Sequence, residues 1–141
     1  MKNNTFIALE MLKNGNFTCV ATNGEMFHTS TKKGVKPLLS WFDDKVDVND
    51  FCAADKVVGK AAAFLYVLLG VTEVYACVIS KASTEVFEKY GVEYYYDTLV
   101  DAIRNRTNTG YCPMEQAVKN VNIPDDAYIV IKETLQKLSS V

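Results

Sequence analysis

Hydrophobic and polar positions form blocks along the chain, and the longest apolar block lies at residues 51–80. Phe51 to Ala54 is a short apolar run that predicts a buried strand, and Val57 to Leu69 predicts a helix that is apolar on nearly every side. A helix without a polar face has to be covered all round. Residues 73–80 form a second β-rich run, so the block predicts a strand–helix–strand unit with parallel strands.

The patterns before and after this unit predict the remaining elements. Asn23-Gly24 between two alternating runs is a strong signal for a β-hairpin. The further predictions are helices at 4–13, 35–43, 81–90, 99–105, 114–120 and 124–138, hairpin arms at 17–22 and 25–31, a strand at 92–96 and a loop at 105–110. This order predicts an α/β fold: a three-layer α/β/α sandwich with a five-stranded mixed sheet and an N-terminal β-hairpin, in one domain over residues 1–141.

Composition and charge exclude some classes of binding partner. The 141 residues carry a net charge of -2, which gives no electrostatic footprint for nucleic acid or for an anionic membrane. No apolar run reaches the roughly 18 residues that a transmembrane helix needs, and the N-terminus does not have the pattern of a signal peptide. We therefore expect a cytoplasmic location. The four cysteines include no C-x-x-C pair, and in a reducing cytoplasm we expect them to be free thiols.

The first group of candidate binding residues lies at the predicted start of the central helix. Asp55 stands at the expected N-cap, and Lys56 and Lys60 are four residues apart, so they would share one helical face. Two cations at the positive end of a helix dipole are unfavourable unless an anion is near, and Gly59 would let a ligand approach closely. The alternative is that Asp55 only caps the helix and that the lysines point to solvent or pair with carboxylates.

The second group surrounds the predicted loop at 105–110. Pro113 at the first helical position makes Cys112 the N-cap, where a helix end and nearby arginines lower a thiol pKa. Glu115 falls at the carboxylate position of a capping box. Three interpretations stay open: simple capping, a ligand-contacting loop, or a nucleophilic or redox Cys112. The other expected ligand contacts are Arg106, Thr109, Gly110 and, at the end of the strand that follows the central helix, Ser80. Ser80 is also the predicted N-cap of the helix at 81–90.

Several motifs resemble those of a small bacterial family of unknown function that has a cytidine-deaminase-like fold. They are KKGVKPLLSW at 32–41, ADKVVGKAAA at 54–63, GVTEVYACVIS at 70–80, EKYGVEY at 88–94 and TGYCPME at 109–115. The resemblance covers residues 17–115 and implies a fold and a pocket, which the lysines at 32, 33 and 36 could border. It implies no activity, because none is established for that family.

The chain departs from zinc-dependent deaminases at the metal site. Those enzymes need a His or Cys followed two residues later by Glu, and then Pro-Cys-x-x-Cys at the start of the next helix. Here Ala54-Asp55-Lys56 and Ser80-Lys81-Ala82-Ser83 stand at these places, and the one histidine, His28, lies on the hairpin. We therefore expect no zinc site and no cofactor.

The sequence leaves three functions open. The first is a small-ligand-binding domain that holds an anion or a nucleotide between the residues at 55–60 and the loop at 105–115. The second is a metal-independent enzyme with Cys112 as nucleophile or redox thiol and Asp55 or Glu115 as base. The third is a protein-interaction module without a ligand.

Overall fold

The computed structural model describes residues 1–105, 110 and 112–139. The helices in these residues are α1 (Asn3–Asn14), α2 (Lys36–Asp43), α3 (Lys60–Leu69), α4 (Lys81–Tyr90), α5 (Pro113–Ala117) and α6 (Pro124–Ser139). The strands are β1 (Cys19–Thr22), β2 (Phe27–Ser30), β3 (Cys52–Val58), β4 (Glu73–Ser80) and β5 (Glu93–Val100).

The five strands form one mixed sheet in the order β2-β1-β3-β4-β5. β1 is antiparallel to both β2 and β3, whereas β3, β4 and β5 run parallel to one another. In this register Cys19 at the start of β1 lies opposite both Ser30 and Asp55. The carboxyl ends of the three parallel strands therefore lie at one end of the sheet, together with the start of β1 and the end of β2. We call this end of the sheet the carboxyl edge.

Helices cover both faces of the sheet, and the three-layer prediction is confirmed. α1 packs on one face, against β1, β3 and β4, with a small core around Ala8, Leu12 and Val20. The main core lies on the other face, where α3 packs against α2, α4 and α6. Residues 61–66 of α3 are all buried, so the nearly uniform apolar helix is covered all round, as the pattern predicts.

The predicted start of the central helix is wrong. β3 continues to Val58 because it keeps pairing with β4, with Val57 opposite Val78 and Val58 opposite Ile79. Gly59 then has extended backbone angles, and α3 begins only at Lys60. Asp55 is therefore a strand residue and not an N-cap. Lys56 and Lys60 belong to different elements and share no helical face.

The helix predicted at 99–105 is also wrong, because the last strand is longer than its pattern suggested. Leu99 and Val100 continue β5 and pair with Ile79 and Ser80 of β4. β5 forms an outer edge of the sheet, and Tyr95 and Tyr96 on this strand are exposed. None of the helices in the described part of the chain is long and apolar enough to cross a membrane.

Candidate functional site

Two cavities lie at the carboxyl edge of the sheet. The first, which we call the Ser80 cleft, has a volume of about 420 Å³ and lies beyond the ends of β4 and β5. It is lined by Lys60, Ser80, Ala82, Glu85, Asp101, Ala102, Ile103, Glu115, Gln116 and Lys119. The second, the Asp55 cavity, has a volume of about 290 Å³ and is lined by Thr18, Lys32, Lys33, Gly34, Pro37, Asp55, Lys56 and Val57.

The beginning of α3 is capped by a carboxylate from a distant part of the chain. Glu115 accepts hydrogen bonds from the backbone N–H groups of Lys60 at 2.5 Å and Ala61 at 3.1 Å. These are two of the free N–H groups that a helix presents at its start. The capping box predicted within α5 is therefore wrong, because Glu115 caps α3 instead. Burial raises the pKa of Glu115, and the two N–H donors and the Lys60 ammonium oppose that rise.

Gly59 provides the space that this cap requires. A β-carbon at Gly59 would lie 2.5 Å from the carboxyl group of Glu115. The backbone angles of Gly59, φ -96° and ψ -178°, are open to any residue, so the requirement for glycine here is steric. We conclude that Gly59 lets the carboxylate of this protein approach the helix, which is the role that the sequence suggested for a ligand.

Lys60 lies partly buried at the wall of the Ser80 cleft. Its Nζ donates a hydrogen bond to the backbone oxygen of Lys119 at 2.9 Å and lies 5.7 Å from the centre of the Phe64 ring. Burial lowers the pKa of Lys60, while the negative charges of Glu115 and Glu85 oppose that shift. The ammonium is thus held in place and only partly hydrated.

Ser80 caps α4 from the bottom of the same cleft, and the sequence-based prediction of this cap is confirmed. Its Oγ accepts a hydrogen bond from the backbone N–H of Ser83 at 3.3 Å. The Oγ of Ser83 donates to the backbone oxygen of Val58 at 2.9 Å and lies 2.7 Å from the Oγ of Ser80. This small network ties the end of β3 to the start of α4, so the floor of the cleft is fixed.

Asp55 lies in the other cavity and is almost fully buried, at 5% exposure. Its Oδ2 accepts a 2.7 Å hydrogen bond from the hydroxyl group of Tyr66, which comes from α3. The Sγ of Cys19, the neighbour of Asp55 in the sheet, lies 3.3 Å from the same hydroxyl oxygen. Burial raises the pKa of Asp55 to about 7, although its hydrogen bonds favour the charged form.

Three lysines border the Asp55 cavity. Lys32 and Lys33 come from the segment after β2, Lys56 comes from β3, and all three are exposed. None of them forms an ion pair with any carboxylate of the described residues. The cavity therefore combines a buried acid with cations that have no carboxylate partner among those residues.

Cys112 is at the N-cap of α5, as predicted, but its side chain makes no capping hydrogen bond. It is half-buried against the main core and lines neither cavity. Gly110 accepts a hydrogen bond from the backbone N–H of Asn105 and likewise lines neither. The predicted contacts Arg106 and Thr109 lie outside the described residues. Within the described part of the chain, no three His, Cys, Asp or Glu side chains come together as metal ligands.

The structure thus divides the predicted site into two. Lys60, Ser80 and Glu115 meet in the Ser80 cleft, whereas Asp55 and Lys56 belong to the Asp55 cavity. Sequence reasoning missed three charged residues of the Ser80 cleft, namely Glu85, Asp101 and Lys119. One signal could have identified Asp101: it directly follows β5, and ligands of α/β sheets bind beyond the carboxyl ends of strands.

Comparisons with known proteins agree with the fold. The chain resembles the crystal structure of a DUF1893 family protein (TM1506) from Thermotoga maritima, with a TM-score of 0.85 and 27% identity over 97% of this chain and 91% of that one. A diaminohydroxyphosphoribosylaminopyrimidine deaminase/5-amino-6-(5-phosphoribosylamino)uracil reductase from the same organism matches at a TM-score of 0.42 and 16% identity, over 67% of this chain and 35% of that one. No curated protein matches the chain.

The family itself is shown by a match along most of the sequence. The family model described as TM1506, domain of unknown function (DUF1893), covers residues 7–135 of the 141. This span includes all five strands and both cavities. The chain therefore belongs to the TM1506 family, the domain of unknown function DUF1893.

Proposed function

We propose that this protein binds a small nucleoside- or nucleotide-like ligand in the Ser80 cleft. The position of the cleft supports the proposal, because open α/β sheets bind ligands beyond the carboxyl ends of their parallel strands. Its size supports it as well: about 420 Å³ falls within the range of roughly 300–1,000 Å³ that is usual for small-molecule sites.

The observation that carries the proposal is the mixture of groups in the lining. Ala82, Ala102 and Ile103 provide apolar surface, which suits the flat face of a base. Glu85 and Asp101 are acceptors for the amino and hydroxyl groups of a base or a ribose. The ammonium of Lys60 is a donor for a phosphoryl group. A nucleotide carries all three kinds of surface, whereas a simple anion would use only the two lysines of the lining, Lys60 and Lys119.

The cap on α3 determines where an anionic group would bind. The carboxylate of Glu115 already accepts the N–H groups of Lys60 and Ala61, so a phosphate at the helix end would have to displace it. We therefore place a phosphoryl group of the ligand at the side chain of Lys60, after its hydrogen bond to Lys119 opens.

A thermal-shift screen tests this proposal, because a ligand that binds only the folded chain raises its melting temperature. The probes are the four ribonucleosides, their 5′-monophosphates and inorganic phosphate. We expect at least one nucleoside or its monophosphate to raise the melting temperature, the monophosphate more strongly, and phosphate alone to have a smaller effect.

Two lysine variants make the screen specific. Lys60→Met should reduce the advantage of the monophosphate over the nucleoside. Lys89→Met is the matched control, because Lys89 is exposed near the far end of α4, and it should leave the shifts unchanged. No shift with any nucleoside or monophosphate, or equal losses in both variants, would contradict the proposal. The other two functions considered from the sequence stay predictions.

A further inference from the structure

We infer that the Asp55 cavity is a second ligand site, which takes a small phosphate monoester with a hydroxyl group near its phosphate. The phosphate binds among the lysines at the rim, and the hydroxyl group donates to Asp55 at the floor. This site lies at the ends of β1, β2 and β3 and shares no lining residue with the Ser80 cleft. The inference therefore does not depend on the function proposed above.

The positive charges of the lysines at the rim of the Asp55 cavity favour the binding of an anion. The fold brings Lys32, Lys33 and Lys56 to one cavity from two separate segments. Like charges that are brought together repel one another, and none of the three has a carboxylate partner among the described residues. Asp43 and Asp44 line a neighbouring cavity together with Lys32 and Lys33, but neither lies within ion-pair distance of these lysines. Asp43 is engaged by Lys132 at 3.3 Å and by the hydroxyl group of Tyr128. A phosphate would offset this repulsion.

The carboxylate at the floor of the cavity favours a ligand that can donate a hydrogen bond. Asp55 is the one carboxylate in the described lining, and it is 95% buried. Its Oδ2 accepts from Tyr66, while its Oδ1 makes a long contact of 3.4 Å with the backbone N–H of Val57. The backbone N–H of Lys56 and the Cys19 thiol also interact with the carboxyl group. A carboxylate has about four acceptor positions, so Oδ1 can accept from a ligand. One carboxylate among three ammonium groups does not suit a metal ion. The ligand group that binds Asp55 would therefore be a hydroxyl or an amino group, which can donate a hydrogen bond.

The walls of the cavity hold its rim in place before a ligand binds. The Oγ1 of Thr18 donates to the backbone oxygen of Ser30 at 3.0 Å and also contacts that of Lys32. Gly34 follows with a positive φ of 65°, a conformation that favours glycine. The two exposed lysines of this segment are thus carried on a fixed backbone, which reduces the ordering cost of binding.

Isothermal titration calorimetry with the full chain tests the inference. The probes are glycerol 3-phosphate, which has hydroxyl groups beside its phosphate, and methyl phosphate, which has none. We expect glycerol 3-phosphate to bind more tightly. Lys33→Met and Lys56→Met should each weaken its binding roughly tenfold, the size of one charge-assisted hydrogen bond. Asp55→Asn, which keeps the shape of the side chain, should reduce the advantage of glycerol 3-phosphate over methyl phosphate.

Two further variants separate this site from other sources of phosphate binding. Lys89→Met, on an exposed part of α4, should bind both probes like the wild type. Lys60→Met should keep the preference for glycerol 3-phosphate over methyl phosphate, because Lys60 belongs to the Ser80 cleft. No binding at millimolar concentrations, an equal loss in Lys89→Met, or a loss in Lys60→Met without one in Lys33→Met and Lys56→Met would each overturn the inference.

Discussion

The two cavities at the carboxyl edge differ in how their charges are arranged. In the Ser80 cleft the charged groups are partly used by the fold, since Glu115 caps α3 and the ammonium of Lys60 binds a backbone oxygen. In the Asp55 cavity the acid is buried against Tyr66, and the surrounding lysines form no ion pair with the described carboxylates. The first arrangement holds the lining of the Ser80 cleft in place, and this lining suits a ligand that has apolar, polar and charged groups. The second leaves positive charge on the lysines, which a bound anion would neutralise.

The comparison also predicts how the carboxyl group in each cavity affects the stability of the folded protein. A buried carboxyl group that is shifted towards its neutral form destabilises the folded state once it ionises. The carboxyl group of Glu115 is also shifted towards its neutral form, but it accepts two N–H groups at a helix start, so its removal costs stability. Replacing Asp55 and replacing Glu115 should therefore have opposite effects at about pH 8, and the first two predictions below rest on that contrast.

The largest effect is expected at Asp55. Its pKa is raised from 3.8 to about 7 in the folded protein, so the folded state binds the proton more tightly than the unfolded chain. The free energy of unfolding should therefore fall as the pH rises from about 4 to about 7, by up to roughly 4 kcal/mol, and the loss persists above that range. Asp55→Asn should be more stable than the wild type at about pH 8, and this gain should disappear near pH 4.

Urea unfolding of both proteins across this pH range measures the difference. Asn keeps an acceptor for the Tyr66 hydroxyl, which makes it a close control for shape. An Asp55→Asn variant that is less stable than the wild type at about pH 8 would mean that the charged carboxylate stabilises the fold, and the contrast between the cavities would be lost.

The next effect is expected at the cap of α3. Glu115→Ala removes the acceptor of two N–H groups and should lower the free energy of unfolding by about 1–3 kcal/mol. Gly59→Ala places a β-carbon against the same carboxyl group, so it should lose most of the same stabilisation. Once the carboxyl group is absent, the added methyl group has nothing to displace.

A double-mutant cycle measures this coupling. The double variant should be less stable than Glu115→Ala alone by only about 0.5–1 kcal/mol, the difference between Gly and Ala at an N-cap. Strictly additive losses would show that the effect of Gly59→Ala comes from elsewhere in the fold.

The smallest effect is expected at Cys112, which lines neither cavity. We predict that it is the cysteine alkylated first by iodoacetamide near neutral pH. Cys19 and Cys52 are 1% and 2% exposed, and for the half-buried Cys77 both burial and Asp97 raise the thiol pKa. Mass spectrometry after brief labelling identifies the modified residue. Earlier labelling of Cys77 would remove the basis for treating Cys112 as the reactive thiol.

Much of the fold could be predicted from local patterns. The hairpin, the parallel unit and the cap of α4 depend on neighbouring residues, such as Asn23-Gly24 or Ser80 beside Ser83, and the structure confirms them. The start of α3 could not be located in this way. Asp55 has a side chain typical of an N-cap, but its β3 backbone pairs with β1 and β4 and its carboxyl group meets Tyr66.

The candidate site shows the same limit. The sequence marks Glu115 as a candidate capping or binding residue, but its contact is 55 residues away along the chain, and no local rule joins these two segments. The lysines of the Asp55 cavity likewise come together only through the pairing of β1 with β2 and β3. Local signals therefore identified residue types, and the tertiary fold determined their partners.

The most direct test of ligand binding in the Ser80 cleft is a ¹⁵N–¹H NMR titration with the nucleoside monophosphate that gives the largest thermal shift. We predict that the amide signals that move cluster at residues 60, 80–85, 101–103 and 115–119, around the lining of the cleft. In a parallel titration with the matching nucleoside, which has no phosphate, the signals of residues 18, 32–34 and 55–57 around the Asp55 cavity should stay in place. Shifts confined to residues outside the Ser80 cleft, or no shifts at saturating concentrations, would contradict the proposed function.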